Sequence, residues 1–127
     1  MPGGPGNDTI KGRGGDDQIC GGPGDDRLRA DAGRDKVFAM GGDDRIATAG
    51  GSDLIRASVG DDLIGSGAGG NRVHDGTGDD RLFGGLGGDE LRGKGGDDEL
   101  HGGPRRDTCN GGVGGTDSAG DCERSTG

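Results

Sequence analysis

The chain has 127 residues, of which 36 are Gly and only 24% are hydrophobic, and it carries a formal net charge of −9. With no Trp or Tyr and two Phe, it lacks the side chains of an ordinary globular core, and such a composition by itself belongs with disordered segments. The acidic balance excludes a nucleic-acid surface, since no basic stripe offsets it, and no apolar run approaches the roughly 20 residues of a membrane-spanning helix.

Met1–Pro2 lead directly into GGPGNDTIK at Gly3–Lys11, with no charged-then-apolar leader before it. The chain is therefore expected to be a piece of a larger protein. From Gly3 to Asn110 the sequence divides into twelve nine-residue units without a gap. The eighth position of each unit runs Ile10, Ile19, Leu28, Val37, Ile46, Ile55, Ile64, Val73, Leu82, Leu91, Leu100, Cys109. The sixth runs Asp8, Asp17, Asp26, Asp35, Asp44, Asp53, Asp62, Asn71, Asp80, Asp89, Asp98, Asp107. A fixed period of this kind dictates the architecture before any local propensity is weighed.

Within each unit the first six residues read as turn and the last three as a short strand. Gly supplies the positive-φ backbone of a tight turn, and alternation about the aliphatic residue, as in Asp26-Arg27-Leu28-Arg29, suits one inward side chain. A three-residue strand cannot bury its inner face alone. Two units per coil make a flattened coil of eighteen residues with two sheets facing across a thin aliphatic core, and the twelve units make about six coils. The units between Ala30 and His74 have lost Gly from several of their first two positions (ADAGRD, AMGGDD, TAGGSD, ASVGDD, SGAGGN) while keeping the fourth-position Gly. If the openings need positive φ, these units are expected to bind metal more weakly or to bend. The last unit, GGPRRDTCN, has Arg105 for the fourth-position Gly and Cys109 for the aliphatic residue. The tail 111–127 starts in register and breaks it at Thr116 and Asp117, which reads as a C-terminal cap.

The units resemble the nonapeptide repeats of RTX proteins, G-G-x-G-x-D-x-U-x with U a large aliphatic residue. GGPGNDTIK and GGPGDDRLR at Gly21–Arg29 match at every fixed position, and the resemblance covers Gly3–Asn110. It implies an all-β fold, a parallel β-roll, at residues 3–110, with calcium ions held in its turns. It also implies a secreted, extracellular module that is disordered at low calcium and folds at high calcium, of the kind that accompanies exported toxins, proteases and lipases.

Geometry supports calcium independently of the resemblance. Coils of a parallel sheet stack about 4.7–4.9 Å apart, and calcium takes six to eight oxygens at about 2.3–2.6 Å. An ion midway between stacked turns is then at bonding distance from both, flanked by residues eighteen apart such as Asp26 and Asp44 or Asp80 and Asp98. Magnesium fits worse, because it demands tighter octahedral geometry and keeps its waters. The sixth-position row supplies the first candidate ligands: Asp8, Asp17, Asp26, Asp35, Asp44, Asp53, Asp62, Asp80, Asp89, Asp98 and Asp107. Fifth-position Asn7, Asp16, Asp25, Asp43, Asp61, Asp79 and Asp97 are a second tier. Backbone carbonyls of the turn glycines Gly6, Gly24, Gly42, Gly60, Gly78 and Gly96 supply the remainder. At most about ten ions are expected, given the number of inter-turn gaps along six coils.

Two units per coil sort the fifth position into two columns. Odd units give Asn7, Asp25, Asp43, Asp61, Asp79 and Asp97; even units give Asp16, Arg34, Ser52, Gly70, Gly88 and Arg106. The even column also contains Asn71 for Asp, so the odd edge is expected to bind calcium more tightly.

Cys109 and Cys122 are thirteen residues apart, and a disulfide between them would clamp the last unit to the tail, in keeping with an oxidising compartment. Cys20 has no partner in sequence. His74 and His101 fall in units eight and eleven, on opposite sheets, and cannot share a metal. No Ser/His/Asp or Cys/His constellation forms, so no catalytic role is expected. Arg27, Arg29, Arg105 and Arg106 read as solubilising surface. A spacer in an adhesin is the alternative role. Ice binding is disfavoured by the irregular third-position row, which mixes Pro5, Gly14, Val59, Thr77 and Leu86.

Overall fold

The structure, a computed structural model, describes residues 1–113, 118–120, 122 and 124–125. Its strands are β1 (Thr9–Lys11), β2 (Gln18–Pro23), β3 (Arg27–Ala32), β4 (Lys36–Gly41), β5 (Arg45–Gly50), β6 (Leu54–Val59), β7 (Leu63–Gly65), β8 (Arg72–Thr77), β9 (Arg81–Phe83), β10 (Glu90–Gly95), β11 (Glu99–His101), β12 (Thr108–Asn110), β13 (Ser118–Gly120) and β14 (Arg124–Ser125). The described residues contain no helix, and hence none long and apolar enough to cross a membrane.

The odd-numbered strands form one parallel sheet and the even-numbered strands another. Pairing advances by two units: Ile10 lies beside Leu28 and Ile19 beside Val37. The protein is therefore a parallel β-solenoid with two nonapeptides per coil and about six coils. The aliphatic row turns inward on both sheets, and Ile19, Leu28, Val37, Ile55, Ile64, Val73, Leu82, Leu91 and Leu100 are fully buried. At the first coil Ile10 is only partly covered.

Two features differ from the sequence-based expectation. Several strands, among them β2, β3, β4, β5, β6, β8 and β10, have six residues rather than three, running from the seventh position of one unit to the third of the next. The alternation that sends the eighth-position residue inward also sends inward the first residue of the following unit. Ala30, Ala39, Thr48, Ala57, Ser66 and Asp75 are buried there. The unit openings that fall within these six-residue strands thus belong to the walls of the roll rather than to its turns.

The tail extends both sheets. β13 pairs with β11 (Glu99 beside Ser118) and β14 with β12 (Thr108 beside Arg124), adding one strand to each sheet. Both pairings depart from the eighteen-residue offset of the repeats, the first by one residue and the second by two. The register break at Thr116 and Asp117 lies outside the described residues.

Candidate metal site

The turns are built by glycines with distinct duties. From Gly6 to Gly96 every fourth-position residue has positive φ, and Arg105 keeps that conformation at 117°. A Cβ on Gly24, Gly42 or Gly60 would collide with the carbonyl oxygen of the fourth-position Gly one coil earlier. Those carbonyls therefore point along the solenoid axis, turn to turn. The second position also takes positive φ in most units, Ala49 excepted, and Arg13, Asp31, Met40, Ser58 and Lys94 accept it without being Gly. First-position glycines leave room instead. A Cβ on Gly84 would lie 2.6 Å from Asp89 Oδ2 and 2.8 Å from the Gly102 carbonyl oxygen; on Gly12 it would lie 2.5 Å from Asp17 Oδ2 and 3.0 Å from the Ala30 carbonyl oxygen.

Carboxylates form two ladders that run in opposite senses. In the sixth-position ladder each Oδ1 accepts the backbone N–H of the sixth residue one coil earlier. Asp26 accepts from Asp8 at 2.7 Å, Asp44 from Asp26 at 2.7 Å and Asp62 from Asp44 at 2.8 Å. On the other edge Asp35 accepts from Asp17 at 2.8 Å, Asp53 from Asp35 at 2.9 Å and Asp107 from Asp89 at 2.8 Å. In the fifth-position ladder each side-chain oxygen accepts the N–H of the fifth residue one coil later. Asn7, Asp25, Asp43, Asp61 and Asp79 accept in turn from Asp25, Asp43, Asp61, Asp79 and Asp97 at 2.8–2.9 Å. That ladder is confined to the odd edge; on the even edge Asp16 alone plays the part, accepting from Arg34 at 2.8 Å. The odd edge accordingly carries an open trough of about 550 Å³ lined by Asp25, Asp43, Asp44, Asp61, Asp62 and Asp79. A second of about 310 Å³ continues it past Asn7, Asp8 and Asp26.

The remaining sixth-position oxygen is the informative atom. Oδ2 of Asp8, Asp17, Asp26, Asp35, Asp44, Asp53, Asp62, Asp80, Asp89 and Asp107 is buried and meets no hydrogen-bond donor. Asp98 sits in the same row, 2% exposed, its Oδ1 accepting from Asp80 at 3.1 Å. An unpaired buried oxygen of this kind costs free energy wherever it occurs, and a whole row of them is suited to a ligand. Unit eight shows what surrounds that atom. There Asn71 places an amide nitrogen where the other units have Oδ2. It donates to the carbonyl of first-position Ser66 at 3.1 Å and to that of fourth-position Gly69 at 3.4 Å. In the aspartate units the same place gathers carboxylate and carbonyl oxygens with no N–H among them. An oxygen-only cluster of that composition suits a hard cation such as calcium, and the first-position glycines leave it space.

Burial raises the pKa of these carboxyls against the opposing pull of the backbone N–H, and carboxylates in neighbouring coils add to the rise. Asp44, Asp80 and Asp89 are pushed to about 6 and Asp62 to about 7, and Asp35 is also raised. A cation beside them would favour the ionised form instead.

Sequence reasoning missed the interior polar residues at first positions. Thr48 Oγ1 donates to the Ser66 carbonyl at 2.8 Å, and Ser66 Oγ donates to the Gly84 carbonyl at 3.0 Å. With Asn71, these donors all serve the even edge. Asp75 is the third missed residue, fully buried at the opening of unit nine. The only available signal was polar character at a position taken for turn.

Cys109 and Cys122 are disulfide-bonded, with Cα atoms 5.9 Å apart, and Cys20 on β2 is a free thiol. His74 on β8 and His101 on β11 belong to different sheets. His101 stacks on Phe83 at 5.0 Å and meets Glu99 at 2.7 Å.

A comparison with curated proteins finds no match. The family model of the RTX calcium-binding nonapeptide repeat, four copies long, matches residues 3–28, 21–55, 38–73, 65–100 and 83–116. Those overlapping stretches take in the buried sixth-position aspartate row and both edges of the solenoid, and the chain belongs to the family of RTX calcium-binding nonapeptide repeats.

Proposed function

We propose that this protein is a secreted, extracellular structural module that folds when calcium enters its turns, and that its role is not catalytic. The observation that carries the reading is the row of buried Oδ2 atoms without donors. Sixth-position Asp8, Asp26, Asp44, Asp62, Asp80 and Asp98 on the odd edge, and Asp17, Asp35, Asp53, Asp89 and Asp107 on the even edge, would hold the ions with first- and fourth-position carbonyls. Fifth-position Asp16, Asp25, Asp43, Asp61, Asp79 and Asp97 would add charge from the solvent side. A bound ion neutralises carboxylates and ties successive turns together. The chain's own residues supply the rest: glycines admit the close approach of turns, and the aliphatic row holds the two sheets at a fixed distance. At most about ten ions would be taken, with affinity near the extracellular range of about 10⁻⁴–10⁻³ M. The Cys109–Cys122 bond fits an oxidising compartment, and the module would be part of a larger exported protein.

Far-UV circular dichroism across a calcium titration tests this. Metal-free protein should be expanded and mostly coil, with β signal entering cooperatively as calcium rises into the millimolar range. A compact β fold indifferent to calcium and chelator would overturn the proposal.

A further inference from the structure

At the first position of unit nine stands Asp75, where the repeat has Gly and the middle units have Ala, Thr or Ser. It lies on β8 two residues after Val73, and the strand's alternation sends its side chain into the roll, where it is fully buried. One carboxylate oxygen, Oδ1, accepts the Gly76 N–H. The other, Oδ2, is buried and meets no donor, and Asp75 forms no ion pair among the described residues. Carboxylate oxygens of Asp75, Asp80 and Asp98 lie within 4.8 Å of one another, and all three residues are buried.

Every other open unit offers a cation one interior carboxylate per turn. Here a third is added in the space that first-position glycines leave vacant elsewhere. The hydroxyls of Thr48 and Ser66, in the corresponding place, act as donors and reduce the need for an ion. Asp75 does the reverse, since its ionised carboxylate brings charge and no donor. Three buried carboxylates this close repel one another, and a positive charge among them relieves the repulsion and meets the buried Oδ2 atoms of Asp75 and Asp80.

We propose that Asp75, Asp80 and Asp98 form a distinct high-affinity site for a hard divalent cation, calcium, inside the roll between units nine and eleven. It rests on the calcium reading above and adds to it an ordering of sites. Ligand charge count tunes calcium affinity, and the Asp75 site carries one more carboxylate than any other turn of its edge.

The test counts bound ions by native mass spectrometry during a titration with calcium alone, for the full chain and for Asp75→Asn and Asp75→Gly. Circular dichroism at saturating calcium establishes that each variant folds. Asp75→Gly recreates the commonest opening of the repeat, so it provides a folded comparison even if the amide of Asp75→Asn is poorly accommodated. The full chain should take up one ion at a free calcium at least about tenfold below the remainder. Both variants should lose that early ion and keep the later ones. Identical uptake curves for the full chain and both variants would overturn the site, as would loss in Asp75→Gly with retention in Asp75→Asn, since an uncharged oxygen would then suffice. A full chain that binds no calcium at any concentration would instead overturn the family-wide reading, a separate and recognisable failure.

Discussion

The two edges of the roll share one backbone and differ in what they offer a cation. Both have the eighteen-residue advance, the positive-φ fourth position and the buried sixth-position ladder. The odd edge adds the fifth-position ladder from Asn7 to Asp97 and the acidic trough beside it. The even edge has Arg34, Ser52, Gly70, Gly88 and Arg106 in that column, and internal donors on Thr48, Ser66 and Asn71. Glycine geometry is thus a requirement of the coil itself. Charge and donor supply vary on top of it, one edge richer in carboxylates and the other partly satisfied by its own side chains.

Steric substitutions should ignore this difference. A Cβ on Gly60 of the odd edge would run into the Gly42 carbonyl oxygen, and one on Gly51 of the even edge into that of Gly33; both residues have φ above 130°. Gly60→Ala and Gly51→Ala should each destabilise the calcium-loaded roll by about 2–5 kcal/mol, strain and overpacking combined. Thermal unfolding at saturating calcium measures it. A loss on one edge alone would mean that the turns are not built alike.

Exchanging the sixth-position residues probes the difference itself. Asp62→Asn should place an amide against the first- and fourth-position carbonyls of its unit, as Asn71 does in unit eight. The metal-free chain at pH 8 should gain about 1–3 kcal/mol and the loaded chain should hold one ion fewer. Asn71→Asp should do the opposite, weakening the metal-free state by a similar amount and adding an ion to the even edge. Both changes are read from calcium midpoints and ion counts. Opposite signs for the pair are the expectation; like signs would remove the argument built on Asn71.

Acidification separates protons from cations. The folded pKa values of Asp44, Asp80 and Asp89 at about 6 and of Asp62 at about 7 lie above the unfolded value near 3.8. Raised folded values contribute stability that is complete below the unfolded pKa and is lost as pH rises through the folded one. Calcium-free protein should therefore gain β structure between pH 8 and pH 5. Over the same interval the calcium needed to fold the chain should increase, because protons and ions compete for the same oxygens. Circular dichroism with and without calcium gives both curves. A calcium-free chain equally unstructured at both pH values would contradict the burial assigned to these carboxyls.

Much of this was legible in the sequence, because a strict period converts position into place. The ruler of nine alone puts the aliphatic row inside, pairs residues eighteen apart and sorts Asp25, Asp43 and Asp61 from Arg34 and Ser52. The first position was not legible. Gly3, Gly12 and Gly21 look like turn residues chosen for φ, and only the carboxylate and carbonyl oxygens crowded beside them show that room is what they provide. Once that is known, Ala30, Thr48, Ser66 and Asp75 become interior residues with separate chemical roles. The backbone partner of each sixth-position Oδ1 was equally hidden, since it depends on which way the carboxylate tilts between coils. The strands of the tail follow offsets that no repeat announces.

The smallest effect, and the most direct test of the edge comparison, lies at the solvent-facing fifth position. Asp16 Oδ1 already accepts the Arg34 N–H at 2.8 Å, so the first rung of a fifth-position ladder exists on the even edge. Arg34 cannot pass it on, because a guanidinium has donors and no acceptor. Arg34→Asp would supply an acceptor for the Ser52 N–H and replace a positive charge with a negative one beside the even turns. Being exposed, the change acts through screened charge and is expected to be worth at most about 1 kcal/mol, a few-fold gain in calcium affinity at low salt. Asp61→Asn on the odd edge should cost a similar few-fold, since it keeps the acceptor for Asp79 and removes only charge. Raising the ionic strength should shrink both effects together. If Arg34→Asp leaves affinity unchanged while Asp61→Asn lowers it, charge at the fifth position counts only where the ladder is already continuous, as it is on the odd edge.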